Sequence, residues 1–193
     1  MLGITSRFKG CGDKPRKTMT TITPAQKTPP DQTPNPKPNL AHPGVLLATW
    51  FGAGYLPKAP GTWGSIGALP FAWLIVDRGG MVALGIAIAF VFIVGIWASK
   101  DFMTRTGAHD PGAIVIDEVA GQWIVLLAVP LDPAAYFIAF VLFRLFDIFK
   151  PWPISWADRH IEGAWGVMLD DVLAGIFGLA ILQLLLLYGA PYI

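Results

Sequence analysis

Cysteine and histidine are scarce in this sequence, and their scarcity excludes several kinds of metal and redox site. Cys11 is the only cysteine among 193 residues, so an intrachain disulfide, a cysteine-ligated zinc site and an iron–sulfur cluster are excluded. No Cys-x5-Arg loop surrounds it, which argues against a cysteine phosphatase. The three histidines, His42, His109 and His160, include no pair spaced four residues apart, as a helix-borne zinc site would need.

Charge is also scarce, and it is unevenly distributed. Charged residues make up 14% of the chain, against about 25% in an ordinary soluble domain, while 54% of the residues are apolar. Residues 1–43 hold eight of the 17 prolines and seven Lys/Arg against two Asp. We predict that residues 1–43 form a disordered, proline-rich basic tail that can contact anionic lipid headgroups, and that residues 44–193 form the membrane-embedded domain.

This charge pattern does not suggest a nucleic-acid partner, because the basic residues of the tail are diluted by proline and threonine instead of lining one helix face. The N-terminal region shows no apolar run before a small-residue cleavage site, so we predict no secretory signal peptide. Membrane insertion would then depend on internal segments.

Long apolar runs indicate an all-α, polytopic membrane helical bundle. Met81–Ser99 has 19 residues without a charge, enough for a helix to cross about 30 Å of hydrocarbon, and Val172–Tyr188 is nearly as long. Ala113–Leu131 and Ala134–Phe149 are weaker candidates for spanning helices, because charged residues interrupt both apolar runs. A further candidate, Ser65–Val76, is short and contains a proline. The sequence therefore predicts four or five spanning helices.

The basic residues favour five crossings with the tail in the cytoplasm, because cytoplasmic loops are enriched in lysine and arginine. Only Arg78, beside Asp77, then lies outside, and the inner connections carry Lys58, Lys100, Arg105, Lys150 and Arg159. In this topology three polar stretches converge on the cytoplasmic face: Gly52–Ser65, Lys100–Glu118 and Arg144–Asp171. A site that acts on a lipid headgroup would need such an arrangement, whereas transporters tend to place polar groups near the bilayer midplane.

Adjacent acids at the start of apolar segments are the strongest sign of chemistry. Asp117 and Glu118 would each cost about 2.5–3.5 kcal/mol at the bilayer centre, and a position near the interface or a bound divalent cation would reduce that cost. Adjacent helical residues point about 100° apart, so we expect one acid to bind metal and the other to orient water or ligand. Asp170 and Asp171 precede the last span, where a simple N-cap role is an open alternative.

Cations and glycines complete the set of candidate residues. Asp147 is three residues from both Arg144 and Lys150, so it can form an interfacial ion pair. The loop Gly52–Ser65 combines flexible glycines, Lys58 and a helix start, which can hold a phosphate, although a plain connecting loop explains it equally well. Tryptophans between residues 151 and 165 are typical of a segment at the headgroup level.

Four blocks of this sequence together resemble the phosphatidylglycerophosphatase A family. They are GAGYLPKAPGTWGS (52–65), DPGAIVIDEVAGQW (110–123), FRLFDIFKPWPI (143–154) and GVMLDDVLAG (166–175). The resemblance implies an all-α bundle with a central helix, and a Mg²⁺-dependent phosphatase of the bacterial inner membrane. Its substrate would be the membrane lipid phosphatidylglycerophosphate, and its products phosphatidylglycerol and phosphate. The resemblance leaves the oligomeric state open.

The resemblance and the residues lead to one hypothesis for the site. One or two Mg²⁺ would be held by the carboxylates of Asp117, Glu118, Asp147, Asp170 and Asp171, with Glu118 also catalytic. Positive side chains would stabilise the phosphoryl group: Lys58, Arg144 and Lys150. Gly61, Thr62 and Ser65 would orient the monoester together with Lys58.

Other functions compete with this hypothesis. A small ion-coupled transporter or Mg²⁺ channel would use intramembrane acids as a pathway, and it predicts carboxylates near helix centres. A catalytically inactive lipid-binding scaffold is a further alternative. The sequence lacks the D-x2-D-G-x2-A-R motif of CDP-alcohol phosphatidyltransferases and the K-x6-RP motif of another class of lipid phosphatase.

Overall fold

A computed structural model describes residues 38–108, 111–127 and 129–189, and this part of the chain is helical. Most of the proline-rich tail, Cys11 and His109 lie outside the described residues. The helices are α1 (Pro43–Ala48), α2 (Pro60–Thr106), α3 (Ile116–Leu126), α4 (Pro133–Phe149), α5 (Ile154–His160) and α6 (Gly163–Gly189), with a 3-10 turn at Ala53–Tyr55. The predicted all-α fold class is confirmed.

Helix α2 is two helical arms joined at Gly80, whose φ of 71° and ψ of −174° are not helical. Such a conformation is open to glycine and strained for other residues. Pro70 lies within the first arm, residues 60–79, where membrane helices tolerate proline. The predicted segments Ser65–Val76 and Met81–Ser99 are therefore separate helical arms.

The two arms of α2 fold back on each other at this break. A β-carbon added at Gly64, in the first arm, would lie 2.8 Å from Val115, and one at Gly95, in the second arm, would lie 3.5 Å from Ile116. A continuous helix would separate Gly64 from Gly95 by about 46 Å. Both glycines approach consecutive residues instead, so the chain reverses direction at Gly80.

Helix α3 is the central helix of the bundle. Ten of its 11 residues are buried, and the indole N–H of Trp123 donates a hydrogen bond of 2.9 Å to the carbonyl oxygen of Ala68 on α2. The predicted span Ala113–Leu131 corresponds to this helix, but 11 residues rise only about 16 Å, half the hydrocarbon thickness. The helix stops early because Leu127 adopts an extended backbone (φ −61°, ψ 126°).

Glycines bring α6 unusually close to α3. A β-carbon at Gly121 would lie 2.6 Å from the carbonyl oxygen of Asp171, and one at Gly175 would lie 2.5 Å from the carbonyl oxygen of Gly121. Any larger residue would push the helices apart. This contact places the acidic part of α6 directly beside the first turn of α3.

Helix α4 begins as the sequence predicts. Asp132 is its N-cap, its carboxylate accepts a 2.9 Å hydrogen bond from the backbone N–H of Ala135, and Pro133 occupies the first turn. The helix ends at Lys150, whose backbone is left-handed (φ 40°) and precedes Pro151. The C-terminal end of α4 therefore lies close to the acids on α3 and α6.

Two helices of the described chain, α2 and α6, are long and apolar enough to cross a membrane. Large apolar side chains project outward from the second arm of α2, among them Val82, Ile86, Phe90 and Ile93. An outward apolar face of this kind suits lipid contact. The structure thus supports membrane association through these helices.

Candidate active site

A cavity of about 570 Å³ lies where α2 and α3 begin, α4 ends and the first third of α6 passes. The three polar stretches identified in the sequence all contribute to its wall, through Gly61, through Asp117 and Glu118, and through residues between Arg144 and Asp171. The structure therefore brings together side chains that are more than a hundred positions apart in the chain.

Three carboxylates form the floor of the cavity. Asp117, Glu118 and Asp171 each offer one oxygen atom, and these atoms all lie within 4.8 Å of one another. Asp117 and Asp171 are 8% and 3% exposed. The sequence predicts that one of Asp117 and Glu118 binds metal while the other orients water or ligand, but this geometry does not require that division, because one oxygen of each side chain lies within 4.8 Å of the other.

Burial and like charge disfavour three free carboxylates here. Asp117 and Asp171 are almost completely shielded from water, and oxygens of Asp117, Glu118 and Asp171 lie within 4.8 Å of one another, so their negative charges would repel. The group is stable when protons or a cation compensate its negative charge.

Asp170 and Asp171 are not helix caps, because α6 begins at Gly163, seven and eight residues before them. The N-cap alternative is therefore wrong. Asp170 is buried beside the cavity, and its Oδ2 pairs with Lys150 while its Oδ1 has no hydrogen-bond partner among the described residues. An acid within an apolar helix that keeps one buried oxygen free is suited to receive a ligand.

Arg144 lies between the acids and α2. Its Nη1 forms an ion pair of 2.8 Å with Asp147, as the spacing predicts, and a long contact of 3.5 Å with the hydroxyl oxygen of Ser65. The Ser65 hydroxyl donates to the carbonyl oxygen of Gly61 at 2.9 Å. Ser65 therefore holds Arg144 instead of facing the cavity.

Lys150 pairs with acids on two other helices and not with Asp147. Its Nζ lies 2.5 Å from Asp158 on α5 and 2.6 Å from Asp170 on α6. Burial alone would lower the pKa of Lys150, but the hydrogen bonds to these carboxylates outweigh it and raise the pKa above the usual lysine value. Lys150 thus stays charged and neutralises Asp170.

Asp158 is a cavity residue that the sequence reasoning missed. Eight positions and a left-handed turn at Lys150 separate it from its partner, so no helical spacing signals the pair. The tryptophans around it suggested only an interfacial segment, and Trp152, Trp156 and Trp165 are indeed exposed.

Besides Ser65, two predicted residues do not reach the cavity wall. Lys58 is exposed in the loop before α2. Thr62 is half-buried, and its backbone N–H donates a 3.0 Å hydrogen bond to the carbonyl oxygen of Ala59. Gly61, by contrast, lies directly against the acids: a β-carbon there would overlap Glu118 Oε1. Within the predicted phosphate loop, Ala59, Pro60 and Gly61 line the cavity.

The two lysines give a matched comparison. We expect Lys150→Met to lower phosphatase activity about a hundredfold, because it leaves buried Asp170 unpaired and removes a positive charge from the cavity. Lys58→Met, at an exposed position, should change activity about twofold at most. Phosphate release by the two purified variants tests this, and an equal loss in both would contradict the placement of Lys58.

Fold and site together define a helical protein that has two helices long and apolar enough to cross a membrane and a group of three carboxylates that could hold a metal ion. Residues 46–186 match the family model of phosphatidylglycerophosphatase A. The chain belongs to this family and is a phosphatase.

Curated relatives agree with this family. The chain is 38% identical over 144 residues to phosphatidylglycerophosphatase A of Escherichia coli, covering 74% of this chain and 83% of the relative. It is 39% identical over 152 residues to phosphatidylglycerophosphatase A of Haemophilus influenzae, covering 78% and 93%. A putative phosphatidylinositol-3-phosphatase of Bacteroides thetaiotaomicron is 41% identical over 146 residues, covering 69% and 87%. No protein of solved structure matches this chain.

Proposed function

We propose that this chain removes the terminal phosphate of phosphatidylglycerophosphate, yielding phosphatidylglycerol and phosphate, at the cytoplasmic face of a bacterial inner membrane and with Mg²⁺. The observation that carries the proposal is the meeting of Asp117, Glu118 and Asp171 in one cavity that is also lined by two cationic side chains, Arg144 and Lys150. The names of the relatives support the lipid substrate.

The donor set fits Mg²⁺. Its members are carboxylates, the hard oxygen ligands that this ion prefers. Glu118 Oε2 and Asp170 Oδ1 are buried and have no hydrogen-bond partner in the described chain, so they retain capacity for a cation or for its water ligands. Asp117, Glu118 and Asp171 would hold the ion, with Asp170 at the edge of the site. Bound Mg²⁺ supplies Lewis-acid polarisation of a phosphoryl oxygen and lowers the pKa of a coordinated water.

The chain's own residues then bind and orient the monoester. Arg144 and Lys150 face the same cavity as the acids and stabilise the negative charge of the phosphoryl oxygens. Glu118 Oε2 is placed to accept a proton from the attacking water. A bond forms between the water oxygen and phosphorus, the bond from phosphorus to the glycerol oxygen breaks, and the released alkoxide takes up a proton.

Direct attack by water is the form of hydrolysis that we propose, because the sequence lacks the D-x-D loop of the haloacid-dehalogenase phosphatases. In ¹⁸O-labelled water we expect one labelled oxygen in each released phosphate from a single turnover, without a trapped acyl-phosphate. Stoichiometric phosphoenzyme on one aspartate would overturn this form of the mechanism.

We further propose a multi-pass topology in which both arms of α2, the α3 region, α4 and α6 cross or enter the bilayer. The basic connections favour the cytoplasm for the end that holds the cavity. In this arrangement α3 enters only part of the hydrocarbon, and its acids lie in its first turn at the cytoplasmic side. Accessibility of single cysteines placed at residues 58 and 79 to a membrane-impermeant reagent would test the orientation.

The transporter alternative finds no comparable support. It predicts acids at helix centres, whereas Asp117 and Glu118 lie in the first turn of α3 and line the same cavity as Arg144. The relatives carry phosphatase names. A phosphatase is therefore the better account of this cluster.

The direct test is phosphate release from phosphatidylglycerophosphate in mixed micelles. We expect release with Mg²⁺, its loss in EDTA, and its return when Mg²⁺ is added again. Phosphatidylinositol 3-phosphate is the informative second substrate, given the name of the Bacteroides relative. Unchanged turnover in EDTA would contradict the metal requirement, and a strong preference for the inositol lipid would contradict the proposed substrate.

A further inference from the structure

Asp158, on α5, is an acid of the cavity wall that the proposed chemistry does not use. Its side chain is 39% exposed, whereas that of Asp170, the other acid bound to Lys150, is 10% exposed. A carboxylate near a bound phosphomonoester repels it, so Asp158 by its charge alone would weaken substrate binding. An acid in this place therefore needs a role that offsets the repulsion.

The packing of α5 against α6 sets the position of Asp158. A β-carbon at Gly166, in the first turn of α6, would overlap the carbonyl oxygen of Ile161, directly after α5, so the two backbones touch there. Asp158 lies one turn before Ile161, and Asp170 lies one turn after Gly166. This contact brings acids from two helices within reach of one ammonium group.

That ammonium group belongs to Lys150. Its Nζ donates a hydrogen bond of 2.5 Å to Asp158 Oδ1 and one of 2.6 Å to Asp170 Oδ2. An ammonium group has three N–H donors, so these two bonds leave one for a phosphoryl oxygen in the cavity. The lysine side chain is flexible, and a single partner would let the ammonium group pivot about it. Two partners on different helices fix its position.

We infer that Asp158 is a positioning residue, which together with Asp170 holds the ammonium group of Lys150 where its third N–H can reach the phosphoryl group. The inference rests on the proposed function. It assigns Asp158 no contact with substrate: the residue acts through Lys150. A misplacement of a catalytic group by about 1 Å can cost a hundredfold in rate, so loss of this support should be visible in kcat.

Asp158→Ala is the test variant. With Mg²⁺ and phosphatidylglycerophosphate we expect kcat to fall about tenfold, which is less than the loss in Lys150→Met, because Asp170 still binds the ammonium group. KM should stay within about twofold or fall, since a repulsive charge has been removed. The thermal unfolding midpoint should hardly change, because a partly exposed ion pair contributes little to stability.

Two further variants separate position from charge. Asp158→Asn removes the charge and keeps an oxygen acceptor for Lys150, so its kcat should be at least about threefold above that of Asp158→Ala. Glu162→Ala is the matched control: Glu162 is a second exposed acid at the cavity, and no ion pair of the described chain includes it. We expect Glu162→Ala to change kcat by less than about twofold. Equal losses in Glu162→Ala and Asp158→Ala would overturn the inference.

A double-mutant cycle with Lys150→Met isolates the coupling. Methionine has no ammonium group to hold, so Asp158→Ala should lower kcat by less than about twofold in the Lys150→Met background. Losses that multiply would overturn the inference. So would a kcat of Asp158→Ala equal to or above the wild-type value, because Asp158 would then be dispensable or would compete with substrate for Lys150. If Asp158→Ala does not fold, Asp158→Ser enters the same cycle under the same criteria.

A spectroscopic measurement separates this inference from the proposed function. In ¹⁵N-lysine-labelled protein without substrate, the Nζ–H signal of Lys150 is assigned by its absence from Lys150→Met. Its protons should exchange slowly with solvent, faster in Asp158→Ala, and at the wild-type rate in Glu162→Ala. Wild-type protein that releases no phosphate from phosphatidylglycerophosphate would refute the proposed substrate, whereas unchanged exchange in Asp158→Ala would refute the role of Asp158.

Discussion

Asp171→Asn is expected to lower phosphate release at least about a hundredfold. Asp171 is 3% exposed and offers one of the three carboxylate oxygens that meet in the cavity. Loss of a group that only supports a metal ligand typically costs 10- to 100-fold, so loss of a ligand itself should cost about a hundredfold or more. The measurement is kcat/KM with saturating Mg²⁺.

Thermal unfolding gives a readout of Asp171→Asn that does not depend on activity. Without Mg²⁺ the variant should unfold at a higher temperature than the wild type, because one of several crowded buried acids has become neutral. Added Mg²⁺ should stabilise the wild type and have little effect on the variant. Asp77→Asn is the control, since Asp77 is an exposed carboxylate paired with Arg78 near the break in α2. An equal Mg²⁺ shift in wild type and Asp171→Asn would contradict the assignment of this ligand.

Gly61→Ala is expected to lower activity about a hundredfold through one added methyl group. The methyl would overlap Glu118 Oε1 and lie 3.1 Å from Arg144 Nη1, so both groups must move. A displacement of about 1 Å at catalytic groups is sufficient for a loss of this size. Phosphate release at varied substrate concentration measures the effect, which should appear mainly in kcat.

Gly85→Ala is the matched control for this steric effect. Gly85 lies in the second arm of α2, where an added β-carbon would meet nothing within 4 Å. Alanine is the better helix former at both positions, so neither variant should lose stability from helix propensity. Comparable activity of Gly61→Ala and Gly85→Ala would mean that the cavity does not need the close approach of α2 to Glu118.

Much of the fold could be predicted from local features of the sequence. Apolar runs of suitable length predicted the helical arms of α2 and the helix α6, and Asp132 followed by Pro133 predicted the start of α4. These features depend on residues close together in the chain, which is why pattern and propensity could find them. The shortness of α3 and the early start of α6 depend on tertiary packing, and the sequence reasoning missed both.

The candidate site was predictable in its chemistry more than in its contacts. Adjacent acids in apolar surroundings drew attention to Asp117 and Asp171, and the structure brings them together with Glu118. The same reasoning included Lys58 in the site, although it is exposed outside the cavity, and missed Asp158. The sequence shows that a loop residue is charged, but it does not show in which direction the side chain points.

The sequence by itself determined that this protein is helical, apolar and supplied with paired acids, because hydropathy and residue chemistry are properties of short segments. Tertiary structure decided that the chain reverses at Gly80, that glycines bring α6 against α3, and that Lys150 pairs with Asp158 and Asp170. These contacts join residues from different helices, and they depend on backbone approach and on the geometry of whole elements. The arrangement of the acids around one cavity is therefore a property of the packed bundle.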